Sequence, residues 1–329
     1  MLAPITFDTA RLSRLRDGAV MVRSPATILE VRGPGGLQCL QGLLTNDLVS
    51  AGDESMVYAA LLSPKGMITA DMWVLRLKPE RLFLVSEPSS QASIMGVFGR
   101  SIPLRLARVE SRSAEREVLW ICGDLAIAAL AAAGFAVPDG ENRLLVKDTG
   151  PEELILARPQ ATAPFRAMLV ASAELLDRAE QALEQAGVIP GDQVDLEASR
   201  IIAGWPRLGA EIQEKTLPQE VRFDELQGVS YTKGCYVGQE TVARLHFRGH
   251  TNRELRGLIW HGLPELVDDK VTGSEGQPLG TIGSLLVLPK ITVGLAILRR
   301  EVNPGAVVST SGHYARVVPL PFATLAAYA

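Results

Sequence analysis

Lys233-Gly234-Cys235-Tyr236-Val237-Gly238-Gln239-Glu240 gathers a cation, a thiol, two glycines and two hydrogen-bonding side chains into eight residues. Glycine at 234 and 238 permits backbone shapes, and close approach of a ligand, that a Cβ forbids. An ammonium two residues before a thiol lowers the thiol's pKa when it lies close, which favours the nucleophilic thiolate. The same residues also describe a glycine-broken loop with a small buried hydrophobe at 235, as most free cysteines are. The three cysteines, Cys39, Cys122 and Cys235, are far apart and form no C-x-x-C. Neither a disulfide framework nor a self-contained cysteine metal or cluster site is expected from them.

Downstream, Arg244, Arg248, Arg253 and Arg256 stand close together with only Glu254 opposing them. They are either a solvated basic face or a rim that receives a carboxylate, which guanidinium groups match in bidentate fashion. His246 and His250 have the i, i+4 spacing of metal ligands, but Phe247 occupies the place of the Glu in H-E-x-x-H and Gly249 opposes a continuing helix. They read as ordinary surface histidines. After Gly249 strand-like runs such as Leu255–Trp260 and Ile291–Leu298 alternate with Gly- and Pro-rich turns, so 250–329 is expected to be a small β-barrel or sandwich.

Upstream, residues 26–32 alternate as a strand, and Gly33-Pro34-Gly35-Gly36 leads into a helical stripe of Leu37, Leu40, Leu43 and Leu44. That glycine-rich turn lacks the spacing of a phosphate-binding loop. Residues 56–62 and 68–77 are two strands joined by a Ser63-Pro64-Lys65-Gly66 reversal, followed by a strand at 81–85 and a helix at 90–98. A weak repeat follows at a spacing of about 50 residues. In each unit an apolar strand (118–121, then 167–170) precedes a helix closed by Gly134 or Gly187. Such units suit an α+β domain with helices on one face of a sheet.

With 329 residues, 47% hydrophobic and 21% charged, the chain has the composition of an ordinary globular protein of two or three domains. A net charge of −4 argues against a protein that coats nucleic acid or a membrane surface, and no apolar run reaches the length of a transmembrane helix. The first residues lack the basic and apolar regions of a secretory signal, and Asp8 and Asp17 fit a transit peptide badly, so cytoplasm is expected.

The 233–240 segment resembles the K-G-C-[FY]-x-G-Q-E signature of the YgfZ family, relatives of the glycine-cleavage aminomethyltransferase (T-protein). The likeness continues through Ala243-Arg244 and Arg248-Gly249 to Arg253. Leu40-Gln41-Gly42-Leu43-Leu44-Thr45-Asn46-Asp47 is similar to the family's L-Q-G-x-x-T-N-D segment, Pro64-Lys65-Gly66 with Asp71 to its hairpin, and residues 200–206 to its R-I-x-A-G-x-P stretch. The resemblance spans most of the chain.

It implies an α+β fold in which two intertwined ferredoxin-like-related subdomains (1–249) surround a central channel and a C-terminal β-barrel (250–329) completes the chain. It also implies tetrahydrofolate or a derivative as cofactor. Tyr58 and Asp71 would then lie by the pterin, where a carboxylate beside a protonatable nitrogen stabilises charge or moves a proton. Arg200, Gly234, Gly238, Gln239 and Glu240 would line the site, Arg244 and Arg253 would meet the folate tail, and Lys233 would activate Cys235. The family's pterin-binding Glu is Ile202 here, a loss of roughly 1–3 kcal/mol if the ring edge is buried.

The function so implied is that of a folate-binding accessory protein for iron–sulfur cluster assembly or repair, with iron–sulfur clients such as tRNA-modifying enzymes as partners. Direct nucleic-acid binding is not expected. A folate-dependent one-carbon transferase and a non-catalytic scaffold are the alternatives on the same fold. Cys235 is expected to be the functional thiol, with Cys39 and Cys122 as packing residues.

Overall fold

The computed structural model of the chain describes residues 4–148 and 153–322. Every residue of the strand Ser55–Leu62 is buried, because it has a core on each side. Met56, Tyr58, Ala60 and Leu62 face a central core, whereas Val57, Ala59 and Leu61 face a second core that includes residues of the helices Gly36–Leu43 and Gln91–Ser101. The two-residue period of a strand makes this division. Ile68–Lys78 returns antiparallel, placing Trp73 opposite Tyr58 and Asp71 opposite Ala60. The reversal between them is the expected tight turn, with the Gly66 amide donating to the Ser63 carbonyl at 2.9 Å and Gly66 at φ 83°.

These strands belong to one eleven-stranded sheet made of two halves. Ser55–Leu62, Ile68–Lys78, Arg81–Ser86, Thr27–Arg32 and Arg108–Ser111 form one half. Arg143–Asp148, Glu153–Arg158, Ala167–Ala171, Glu117–Cys122, Val20–Ser24 and Ile189–Pro190 form the other. The halves join where Ser55 pairs with Arg143. Val20–Ser24 and the next strand, Thr27–Arg32, lie in different halves, so the two units interlock instead of following one another. The repeat read from the sequence is the outer layer of the second half. Its helices Ala126–Ala132 and Ala173–Gln185 cover a third core, with Gly134 at φ 83° and Gly187 at φ 87° past their ends.

From Arg253 onward the described residues form strands and no helix. Pro278–Val287, Lys270–Thr272, Val307–Thr310, His313–Val318, Arg253–His261 and Ile291–Arg299 pair in that order, and the last pairs back on the first, closing a six-stranded barrel. Trp260, Leu258, Val271, Leu298 and Val317 fill it. The short strand Ile5–Thr6 adds parallel to Pro278–Val287, and Phe7 is buried in the central core, so the start of the chain is built into the C-terminal sheet. No helix among the described residues is long and apolar enough to cross a membrane.

One helix that the sequence reading passed over positions the site. Gln193–Ala203 starts at a capping box of Asp192 and Asp195, and ends where Gly204 takes a left-handed conformation at φ 64°. It carries Arg200 toward the barrel, where the guanidinium donates to Ser284 Oγ at 2.6 Å.

Candidate functional site

A cavity of about 480 Å³ opens between the Ile68–Lys78 strand, the Gln193–Ala203 helix and residues 205–207. The alternation that sends Tyr58, Asp71 and Trp73 to the central face puts Asp71 and Trp73 in the cavity lining and Tyr58 directly behind them. Tyr58 is fully buried, and its ring lies 4.9 Å from Trp73, 4.7 Å from Trp205 and 5.1 Å from Phe223. Trp73 stacks on Trp205 at 5.5 Å and meets Phe165 edge-on at 5.2 Å. Tilted and edge-on contacts of this kind hold an aromatic wall rigid.

The Tyr58 hydroxyl donates to Asp71 Oδ2 at 2.8 Å, which is possible because the residue opposite Asp71 is the small Ala60. Burial pushes the Asp71 carboxyl up to about 6, and the nearby charge of Glu87 adds to the shift. Burial, with the Asp71 charge behind it, raises the Tyr58 phenol well above its ordinary range. Glu87, also at the cavity, is raised by burial as well. Among the described residues the buried acceptor Asp71 Oδ1 at the cavity lacks a hydrogen-bond partner, and the buried donor Arg207 Nε has only a long ion-pair contact with Glu197 at 3.4 Å. A buried acceptor left alone is costly, and a buried donor met only at long range is poorly satisfied. Together they call for a ligand that has both kinds of group.

Arg200 lines this cavity, but its five N–H groups are already committed. They donate to Glu197 twice (2.7 and 2.6 Å), to the Trp205 carbonyl (2.5 Å), to Glu211 (3.1 Å) and to Ser284. With no donor left, Arg200 braces the helix against the barrel. Arg207, which sequence reasoning missed, is the cavity cation with donors to spare; only Glu197, at 3.4 Å from its Nε, approaches as an ion pair. Ile202 points elsewhere, packing against the central core that includes Phe322, while its carbonyl accepts from the Phe322 amide at 3.1 Å. The acceptors at the cavity are instead Asp71, Glu87 and Glu197. Trp73 could have been found from Asp71 by strand alternation.

The 233–240 segment lies away from the cavity, whose lining includes none of Gly234, Gly238, Gln239, Glu240, Arg244 and Arg253. It is stitched to the other family-like motif. Lys233 is buried, and its ammonium donates to the carbonyls of Gln41 (2.6 Å), Leu44 (2.7 Å) and Asn46 (2.8 Å), at the end of the Gly36–Leu43 helix. The Val237 amide donates to the Gly42 carbonyl at 3.2 Å, and the Thr45 hydroxyl to the Gly228 carbonyl at 2.6 Å. Three carbonyls use all three ammonium protons, so Lys233 clasps the two segments together, and any effect of it on the Cys235 thiol would act through charge alone. Burial lowers the Lys233 pKa to about 8.

Gly238 is the glycine that geometry requires. It takes φ 83°, and a Cβ there would lie 2.6 Å from the Ser63 carbonyl oxygen in the hairpin turn. Gly234 has open space around it, and nothing in the structure explains a glycine there. Gln239 accepts from the Tyr236 amide at 3.3 Å, and Glu240 is exposed in the first turn of the helix Gln239–Arg248. Arg253 is taken up in a two-point pair with Glu220, both contacts at 3.0 Å. The helix ends at Arg248, short of His250, and His246 stacks on Tyr231 at 3.6 Å.

Cys235 is exposed, Cys39 half-buried and Cys122 buried. Burial raises the Cys39 thiol and pushes Cys122 up to about 12. Iodoacetamide at neutral pH should label Cys235 first, Cys39 more slowly, and Cys122 at least about tenfold more slowly than Cys235, since the thiolate is the nucleophile. Peptide mass spectrometry over a labelling time course reads the order, and faster labelling of Cys122 would overturn it.

The fold is that of an aminomethyltransferase. The crystal structure of the glycine cleavage system aminomethyltransferase T from Bartonella henselae superimposes with a TM-score of 0.82 at 20% identity, covering 95% of this chain and 88% of that one. Residues 16–137 match the GCVT N-terminal domain family. The tRNA-modifying protein YgfZ of Cronobacter sakazakii is 25% identical over 327 residues, 93% of this chain and 96% of its own length. That of an Enterobacter species is 27% identical, over 88% and 89%. Over most of its length the chain is thus similar to YgfZ proteins in sequence and to an aminomethyltransferase in fold.

Proposed function

We propose that the chain is a folate-binding accessory protein of the YgfZ kind, acting in the cytoplasm to support iron–sulfur-dependent enzymes, tRNA-modifying ones among them. The cavity carries this reading, through the unpartnered Asp71 Oδ1, with the Arg207 guanidinium nearby, set in an aromatic wall. A reduced pterin is a flat ring with N–H donors and acceptors at its edge, and those are the groups such a wall and such atoms take. The names of the YgfZ relatives and the aminomethyltransferase fold support the same conclusion.

In this role Asp71 accepts a ring N–H or, with its raised pKa, holds a proton near neutral pH. Tyr58 fixes the carboxyl's orientation. Trp73 and Trp205 stack on the ring and keep water from it, and Arg207 meets a carbonyl or carboxylate. Folate, when bound, supplies a nitrogen that carries one-carbon groups. Cys235, outside the cavity, is the thiol through which client proteins are served.

Calorimetry with tetrahydrofolate tests the cavity. Binding should weaken about tenfold or more in Asp71→Asn, the loss of one charge-assisted hydrogen bond. No heat at millimolar ligand would remove folate from the account. A deletion strain assayed for several iron–sulfur enzymes tests the service role. Wild type should restore them and Cys235→Ala should not, and full restoration by Cys235→Ala makes the thiol structural. The transferase alternative rests on the same Tyr58–Asp71 pair, and turnover of methylene-tetrahydrofolate by the purified protein alone would put it first.

A further inference from the structure

The helix Gln239–Arg248 buries Val242 and turns Glu240, Arg244, Phe247 and Arg248 outward, as positions spaced by three and four residues must lie on one face. Phe247 is 66% exposed, among the largest exposed hydrophobic side chains of the described residues. Cys235 and the exposed Val237 precede the helix. The hairpin tip adjoins it, since a Cβ on Gly66 would lie 2.9 Å from Thr241 Cβ, and this brings the exposed Lys65 alongside. Lys65, Arg244 and Arg248 make no ion pair among the described residues, so the face carries three uncommitted cations against one carboxylate, Glu240. Uncommitted arginines around an exposed aromatic ring are the composition of a protein interface.

We propose that this face docks an acidic polypeptide segment of a partner protein and so brings the partner to the Cys235 thiol. Charge complementarity selects the occupant. A nucleic acid asks for a stripe of many phosphate-neutralising cations. Three cations around an exposed Phe and Val are few for a phosphate backbone and suit a short acidic, partly apolar peptide better. The folate tail is a separate matter, because the lining of the cavity includes neither Cys235 nor Arg244 nor Phe247. The inference therefore stands whether or not the cavity takes folate.

The test measures the rate at which neutral iodoacetamide labels Cys235 in the full chain at low salt, with poly-L-glutamate of about 20 residues as the probe. Protection of about threefold or more is expected, because several modest exposed ion pairs act together. It should vanish in Arg244→Glu/Arg248→Glu and weaken in Phe247→Ala. Arg299→Glu/Arg300→Glu, on the barrel surface, should leave it unchanged. All these positions are exposed, and thermal unfolding checks that each variant is folded. The proposal fails if poly-L-glutamate gives wild type no protection, or if the barrel reversal removes protection as fully as the helix reversal does. It also fails if a 20-nucleotide single-stranded RNA protects more strongly, which would assign the face to nucleic acid. Stronger protection by tetrahydrofolate pentaglutamate would make the face an extension of the cavity and overturn it too.

Discussion

Asp71→Asn is expected to make the protein more stable at neutral pH while weakening the binding proposed for its cavity. The folded carboxyl titrates near 6 against an ordinary 3.8, so between those values the folded chain holds a proton that the unfolded chain has released. The stabilisation this gives is complete below 3.8 and is lost as pH rises through 6; at pH 7 the ionised group is a net cost. At about 1.4 kcal/mol per pKa unit that cost is about 1–3 kcal/mol, and it disappears in Asn, which keeps an oxygen for the Tyr58 hydroxyl. Thermal unfolding should show a melting temperature higher by about 2–6 °C at pH 7, with the gap closing toward pH 4. An unchanged or lower value at pH 7 would mean that the carboxylate is better solvated than its burial implies. A group kept at a cost to stability is the pattern of a site maintained for use.

Lys233→Met has the opposite sign. It removes three charge-assisted hydrogen bonds and leaves the carbonyls of Gln41, Leu44 and Asn46 without the ammonium. A buried network broken on one side costs about 2–4 kcal/mol, enough to lower a denaturation midpoint visibly. The alkylation rate of Cys235 should stay within about twofold of wild type, because the ammonium serves carbonyls and not the thiol. Lys233→Arg should recover only part of the stability, since a planar fork cannot aim three donors as an ammonium does. A stable Lys233→Met variant with a slow thiol would restore the activating role expected from the sequence.

The two variants mark what could be read in advance. Tyr58, Asp71 and Trp73 share a face because strands alternate, and local sequence carries that information. Gly134 and Gly187 likewise mark helix ends by a purely local rule. Lys233 stands only two residues from Cys235, yet its hydrogen-bond partners lie about 190 positions away in sequence, which no local pattern announces. Arg200 could be placed at the site, but only the fold shows that Glu197, Glu211, Trp205 and Ser284 leave it no free donor. Ile202 was matched to a ligand-facing position, and the packing of the Gln193–Ala203 helix turned it toward Phe322. That helix itself was legible: Asp192 and Asp195 spell its capping box. The merging of two half-sheets at the Ser55–Arg143 pair has no local signature, because it depends on contacts between segments far apart in the chain.

The sheet margins bear on how the protein behaves in concentrated solution. Unpaired backbone along a sheet margin is a template on which other chains can assemble. The barrel closes on itself, its last strand returning to its first, and its one added edge is the two-residue strand Ile5–Thr6. The eleven-stranded sheet has two, and each is short. Ile189–Pro190 offers two residues, one of which lacks an amide hydrogen, and Arg108–Ser111 carries Arg108 and Glu110 on exposed positions. Among the described residues, the two end strands of the eleven-stranded sheet therefore offer a neighbour little to extend.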